Sequence, residues 1–89
     1  KNLALELSQH DIRVNSITPG FIDTKLTRNN LSKEDIVKLE TRIPLKRLGN
    51  VKDISNMALY LCSEKASYLT GQDITIDGGF IAGGFFENN

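Results

Sequence analysis

The segment Val14-Asn15-Ser16-Ile17-Thr18-Pro19-Gly20-Phe21-Ile22-Asp23-Thr24 decides how this chain is read. Ile12 to Thr18 is short and rich in β-branched residues, as strands are. Pro19 cannot donate to a sheet ladder and Gly20 accepts almost any φ, so the strand is predicted to end at this pair. Beyond it the chain offers backbone groups and the Thr24 hydroxyl at the strand's carboxyl end. In an open α/β sheet that end is where ligands bind. On spacing alone, a strand stop and nothing more is the stronger reading of the pair.

Reading outward, Lys1 to Gln9 looks helical, with Leu3, Ala4 and Leu7 on one side and Lys1 and Glu6 on the other. The pattern is at full strength from the first residue and lacks an N-cap, so the helix is expected to begin further upstream. Downstream, Asp23 to Asn30 is polar and reads as loop. Ser32-Lys33-Glu34-Asp35 has the form of a capping box and predicts a helix reaching Arg42, ahead of Pro44. Asn50 and Asp53 mark the start of a second helix, which stops near Ser63. Its apolar stripe is Val51, Ile54, Met57, Ala58 and Leu61. Asp73 to Asp77 alternates as a strand and Gly78-Gly79 ends it. The tail from Phe80 to Asn89 is apolar and Gly-rich, then polar.

The order of helix, strand, long helical crossover and strand is that of an α/β protein with parallel strands. Right-handed crossovers would set both main helices on one face of the sheet. The other face and one strand edge would then be bare, and two strands rarely stand alone. The chain therefore reads as an incomplete folding unit.

Composition excludes several classes. Eleven basic and eleven acidic residues cancel, which argues against a general nucleic-acid binder built on clustered cations. No apolar run approaches the roughly 20 residues that span a bilayer. The single cysteine, Cys62, precludes an internal disulfide and reads as a buried apolar thiol on a helix. The single histidine, His10, precludes a His-based zinc site. These features predict a soluble, cytoplasmic protein with no metal, nucleic-acid or membrane partner.

Three groups of residues, in order, resemble the short-chain dehydrogenase/reductase family. They are the first helix running into Ile12-Arg13-Val14-Asn15-Ser16-Ile17-Thr18-Pro19-Gly20, Ile43-Pro44-Leu45-Lys46-Arg47-Leu48-Gly49 ahead of Asp53-Ile54, and Tyr68-Leu69-Thr70-Gly71-Gln72 running into Ile76-Asp77-Gly78-Gly79. The resemblance covers nearly the whole chain. It implies the carboxyl-terminal third of a 3-oxoacyl-reductase-like or polyol/ketone-reductase-like member. The fold it implies is the last portion of a Rossmann-like, doubly wound parallel sheet. Residues 1–89 would then be part of an NAD(P)-binding domain, with a substrate lid over 23–48. The family's Gly-rich nucleotide loop and its catalytic Tyr-x-x-x-Lys have no match here: Tyr60 is followed four positions on by Glu64, and Tyr68 by Gln72. No catalytic residue therefore carries over, and the chain by itself is expected to be inactive.

What the resemblance does carry over is the nicotinamide end of a cofactor site, at Pro19, Gly20, Phe21, Ile22 and Thr24. Ile22 would offer backbone groups to the carboxamide, and the Thr24 hydroxyl would reach the carboxamide or the pyrophosphate. A carboxamide has two donors and an acceptor, so free backbone groups at a strand terminus can orient it. In the lid, Leu26, Ile36 and Leu39 would face substrate, against the plainer reading of 23–48 as a surface crossover. Lys46-Arg47 reads as a solvated or helix-proximal pair rather than a phosphate site. Asp77-Gly78-Gly79 reads as a structural turn rather than a metal loop. Tyr60 and Tyr68 read as core or interface aromatics.

The implied activity is interconversion of a carbonyl and a secondary alcohol with NAD or NADP, in a homo-oligomer (tetramer or dimer). The residues after Gly79 favour a small polyol, sugar or ketone substrate over a carrier-linked one. A second reading is a truncated, non-catalytic chain that joins full-length relatives through its exposed strand edge and the helix from Val51 to Leu61.

Overall fold

A computed structural model describes residues 2–83. The elements are α1 (Asn2–Ser8), β1 (Ser16–Pro19), α2 (Lys25–Asn30), α3 (Lys33–Arg42), α4 (Val51–Leu61), one 3-10 turn (Glu64–Ala66), β2 (Asp73–Ile76) and α5 (Phe80–Gly83). The predicted order of helix, strand, helical crossover and strand is thus present.

β1 and β2 run parallel, with Ser16 opposite Asp73 and Pro19 opposite Ile76. Alternation puts Ile17, Ile74 and Ile76 on one face, where they are half-buried, and Ser16, Thr18, Asp73 and Thr75 on the other, where they are exposed. On the polar face the Asp73 carboxylate accepts the Ser16 hydroxyl at 2.7 Å and that of Thr18 at 2.9 Å. α4 packs against β1, and Leu3 and Ala4 of α1 line a surface cleft shared with Ser16 and Asp73 at the start of the two strands. Ala4 of α1 sits beside Gly71, just ahead of β2.

β1 is shorter than the β-branched run predicts. Its approach, from Arg13 to Asn15, is tied to the β2 side by one backbone bond, Gly71 N–H to the Val14 carbonyl at 2.8 Å, and otherwise through side chains. Val14 N–H donates to Thr70 Oγ1 (3.0 Å), Asn15 Nδ2 to the Leu69 carbonyl (2.9 Å), and Gln72 N–H to Asn15 Oδ1 (3.0 Å). Arg13 Nη1 donates to the Leu61 carbonyl at the end of α4 (2.9 Å). Pro19 is the last residue of β1 and costs this ladder nothing. Ser16 and Gly20 N–H donate to Gln72 and Ile76 carbonyls (both 2.9 Å), so alternation turns the Pro19 nitrogen to the opposite edge.

The crossover differs from expectation at one point: residues 25–30, predicted as loop, form α2. Thr24 caps it, its hydroxyl accepting Thr27 N–H at 3.2 Å, and this cap outweighs the polar composition. Both other caps are as predicted. Ser32 and Asp35 form a reciprocal capping box on α3, and Asn50 and Asp53 form another on α4.

The core of the described residues is small: Ala4, Ile43, Leu48, Leu61 and Ala66 are buried. The radius of gyration is 16.0 Å, against about 12 Å for a compact domain of this length. One side chain lies further out than predicted. Cys62 is exposed, because α4 ends at Leu61 and leaves it as the C-cap. Tyr68 is fully exposed and Tyr60 is 45% exposed, so neither is a core aromatic here.

Candidate functional site

The Pro-Gly turn is pressed against the end of β2. Gly20 N–H donates to the Ile76 carbonyl at 2.9 Å. A Cβ on Gly20 would lie 2.6 Å from Asp77 Cβ and 2.8 Å from Asp77 Cα. Glycine is required here by space, not by an unusual φ. The next residue, Phe21, sets its ring edge-on to Phe80 of α5, with centroids 5.4 Å apart.

Past Phe21 the chain makes one isolated parallel bridge, between Ile22 and Gly49. Gly49 N–H donates to the Phe21 carbonyl at 2.9 Å, and Asp23 N–H donates to the Gly49 carbonyl at 2.7 Å. The backbone groups of Ile22 itself point the other way. Its carbonyl accepts the Thr27 hydroxyl at 2.8 Å. Its N–H has no partner among the described residues. Two peptide units flank Ile22, and three of their four polar groups are engaged; one donor remains.

Thr24 stands beside that donor. Its oxygen accepts Thr27 N–H and lies 3.2 Å from Thr27 Oγ1. A hydroxyl has one proton, and Thr27 gives its own to Ile22. Thr24 is therefore the donor to Thr27, and its oxygen keeps one acceptor position. Asp23, between them, is drawn outward by Arg28 in a two-point pair (2.6 and 2.8 Å). The Arg28 hydrogen bond holds the Asp23 carboxyl below its usual range.

A cavity of about 180 Å³ opens on the far side of the turn, lined by Phe21, Ile22, Leu45, Arg47, Ile76 and Asp77, among others. Pro19, Gly20 and Thr24 do not line it, so it is not a pocket around the whole predicted set. Its charges serve the fold. Arg47 donates to the Leu48 carbonyl (3.0 Å) and to Asp53 (2.9 Å), the carboxylate that also closes the α4 capping box. Asp77 accepts Ile81 N–H (3.0 Å) and Gly79 N–H (2.9 Å), and these backbone bonds, Ile81 first, lower its pKa. Gly78 and Gly79 hold φ of 66° and 90°, as a structural turn requires. The readings of Lys46-Arg47 as helix-proximal and of Asp77-Gly78-Gly79 as structural thus fit the geometry.

The lid residues are not gathered. Leu26 is 70% exposed on α2, Ile36 and Leu39 are half-buried on α3, and none lines the cavity. No cluster of three or more His, Cys, Asp or Glu able to hold a metal occurs among the described residues. No helix among them is long and apolar enough to cross a membrane. Two residues of the site are absent from the predicted set, Gly49 and Thr27. The spacing Thr24-x-x-Thr27 was the available signal for the second, since a threonine three residues after a cap faces back toward it.

Residues 1–81 match a family model described as enoyl-(acyl carrier protein) reductase. A tropinone reductase homolog of Arabidopsis thaliana is 45% identical over 86 residues, 96% of this chain and 32% of the relative. A 3-oxoacyl-[acyl-carrier-protein] reductase of Buchnera aphidicola is 51% identical over 79 residues, 89% of this chain and 32% of the relative. Among solved structures, a 4-hydroxyisoleucine dehydrogenase complexed with NADH superimposes with a TM-score of 0.85 at 37% identity, over 92% of this chain and 34% of that one. An NADPH-dependent reductase involved in bacilysin biosynthesis gives 0.82 at 38% identity, over 89% and 34%. The chain spans about a third of the length of the curated relatives it matches.

Proposed function

The chain belongs to the short-chain dehydrogenase/reductase family, and on that premise we propose that it is the carboxyl-terminal third of an NAD(P)-dependent oxidoreductase interconverting a carbonyl and a secondary alcohol. Its helix, strand, helical crossover and strand form the last portion of the family's Rossmann-like sheet. The names of its relatives, reductases and a dehydrogenase, support that reaction class.

One observation carries the role of this segment: the free Ile22 N–H at the carboxyl end of β1, left over after Gly49 and Thr27 take its neighbours. A nicotinamide carboxamide suits it. The Ile22 N–H would meet the carboxamide oxygen, and the remaining acceptor position on Thr24 would meet the carboxamide NH₂. Gly20, pressed on Asp77, and Phe21, edge-on to Phe80, hold this edge in place behind Pro19. The nicotinamide, when bound, carries the hydride. This chain's share is to fix which face of the ring is presented and, through α2 and α3, to cover the substrate with Leu26, Ile36 and Leu39.

The Tyr and Lys that move the proton in this family, with the nucleotide loop, belong to residues outside this chain. In an assay of the full-length enzyme, NADH or NADPH is consumed over a panel of small ketones; consumption of neither refutes the reading. The isolated 89-residue chain is expected to show no turnover, and turnover above background would show that the catalytic parts are present after all.

Among the described residues, the exposed polar face of the two-stranded sheet favours a second reading, a non-catalytic chain that pairs with full-length relatives. Sedimentation distinguishes it: a dispersed monomer at every concentration, unchanged when a full-length relative is added, argues against it. In the oxidoreductase reading the same surfaces are covered within a homo-oligomeric (tetrameric or dimeric), cytoplasmic enzyme.

A further inference from the structure

We propose that Thr27 is a positioning residue for the nicotinamide end of the cofactor, acting through Ile22 and Thr24 without touching the ligand. The inference rests on the cofactor reading above and adds a residue to it.

The geometry is specific. Thr27 is the third residue of α2, after Lys25 and Leu26. Its carbonyl accepts the C-cap Leu31 N–H at 3.0 Å, but its hydroxyl and its N–H both engage the two proposed ligand-binding residues. Its hydroxyl donates to the Ile22 carbonyl at 2.8 Å, its Oγ1 lies 3.2 Å from Thr24 Oγ1, and its N–H donates to Thr24 Oγ1 at 3.2 Å. Thr27 is half-buried, whereas Leu26 and Arg28 on either side are exposed. Proton counting gives the chain one direction: Thr24 O–H donates to Thr27, and Thr27 O–H donates to Ile22.

Two consequences follow for the site. The bond to the Ile22 carbonyl closes the last competing backbone acceptor, so the peptide cannot turn without leaving that carbonyl unpaired. The free Ile22 N–H is thereby held on the side where α2 begins. Absorbing the Thr24 proton leaves that oxygen acting as an acceptor, the polarity a carboxamide NH₂ needs. Without the Thr27 hydroxyl, Thr24 is released to present a donor toward the NH₂, and the two donors face each other.

The test uses the full-length enzyme with Thr27→Val, which removes the hydroxyl and keeps the shape, and Thr27→Ser, which restores it. Affinity is measured calorimetrically for the reduced dinucleotide and for ADP-ribose (or its 2′-phosphate), which lacks the nicotinamide. The expected result is about fivefold weaker dinucleotide binding in Thr27→Val, the loss of one hydrogen bond. ADP-ribose binding is unchanged, and Thr27→Ser binds as the wild type does. A general loss of fold would weaken both ligands together and would not be rescued by serine. Equal weakening of both ligands, no weakening of either, or failure of serine to rescue overturns the proposal. If wild-type enzyme binds neither ligand, the cofactor reading itself fails, and the positioning role falls with it.

Discussion

Replacing Gly20 with alanine tests how tightly the Pro-Gly turn is seated. The new Cβ would lie 2.6 Å from Asp77 Cβ and 2.8 Å from Asp77 Cα. Carbon atoms rest at about 3.5–4.0 Å, so the turn and the end of β2 must part by roughly 1 Å. One of the two contacts is backbone, so no rotamer change relieves it. A 1 Å separation also breaks the 2.9 Å bond from Gly20 N–H to the Ile76 carbonyl. Overpacking costs about 1–3 kcal/mol and the lost bond about 1 kcal/mol. The stiffer unfolded chain returns about 0.4–1 kcal/mol. The net destabilisation is about 2 kcal/mol, or roughly 4–8 °C in Tm for a domain of 150–250 residues. The assay is thermal unfolding of full-length Gly20→Ala beside Gly83→Ala, where the nearest atom to a new Cβ is Pro44 Cγ at 4.0 Å. Gly83→Ala is expected to be neutral or slightly stabilising. A Gly20→Ala protein as stable as wild type would refute the steric argument.

Ile43 is 2% exposed, so Ile43→Ala is expected to cost about 2–5 kcal/mol in denaturant unfolding; a loss below 1 kcal/mol would show that the site collapses around the smaller side chain. Asn50→Ala removes one arm of the α4 capping box and is expected to cost about 1 kcal/mol, measured the same way. The Asp77 carboxyl titrates below its ordinary 3.8 because Ile81 and Gly79 N–H groups bond its charged form. A lowered pKa contributes stability that is present above pH 3.8 and lost as the pH falls through the folded value. Asp77→Asn should therefore flatten the acid limb of the stability curve and leave its slope near neutrality unchanged; an unaltered acid limb would place that dependence elsewhere.

Much of the fold was legible because its signals are local. The capping boxes at Ser32 and Asn50 need only four residues each, and both stand where the sequence puts them. The Gly78-Gly79 stop needs only positive φ. The misread positions depend on partners far along the chain. Ile12 to Asn15 has strand composition, but the Thr70 hydroxyl takes Val14 N–H and the Asn15 side chain takes Gln72 N–H, so a single backbone bond, Gly71 N–H to the Val14 carbonyl, stands where a ladder was expected. α2 is six residues long and mostly polar, so periodicity is silent and the Thr24 cap alone speaks for it. Cys62 falls one residue past the last turn of α4, where helical phase no longer sets burial. In the candidate site, Ile22 was singled out through family resemblance. Gly49 was not, because a backbone bridge leaves no trace in side-chain chemistry. Gly20 was noticed for its flexibility, yet the structure uses it for its small size.

Pro19 turns its nitrogen away from β2, toward the outer edge of β1. A strand laid along that edge would find a donor at Ile17 and a hydrocarbon ring two residues later. Its last rung would be missing, and its final carbonyl would be left to the cleft. The proline thus acts as a wedge at the mouth of the sheet: it leaves one seam intact and parts the other beside the proposed ligand-binding edge.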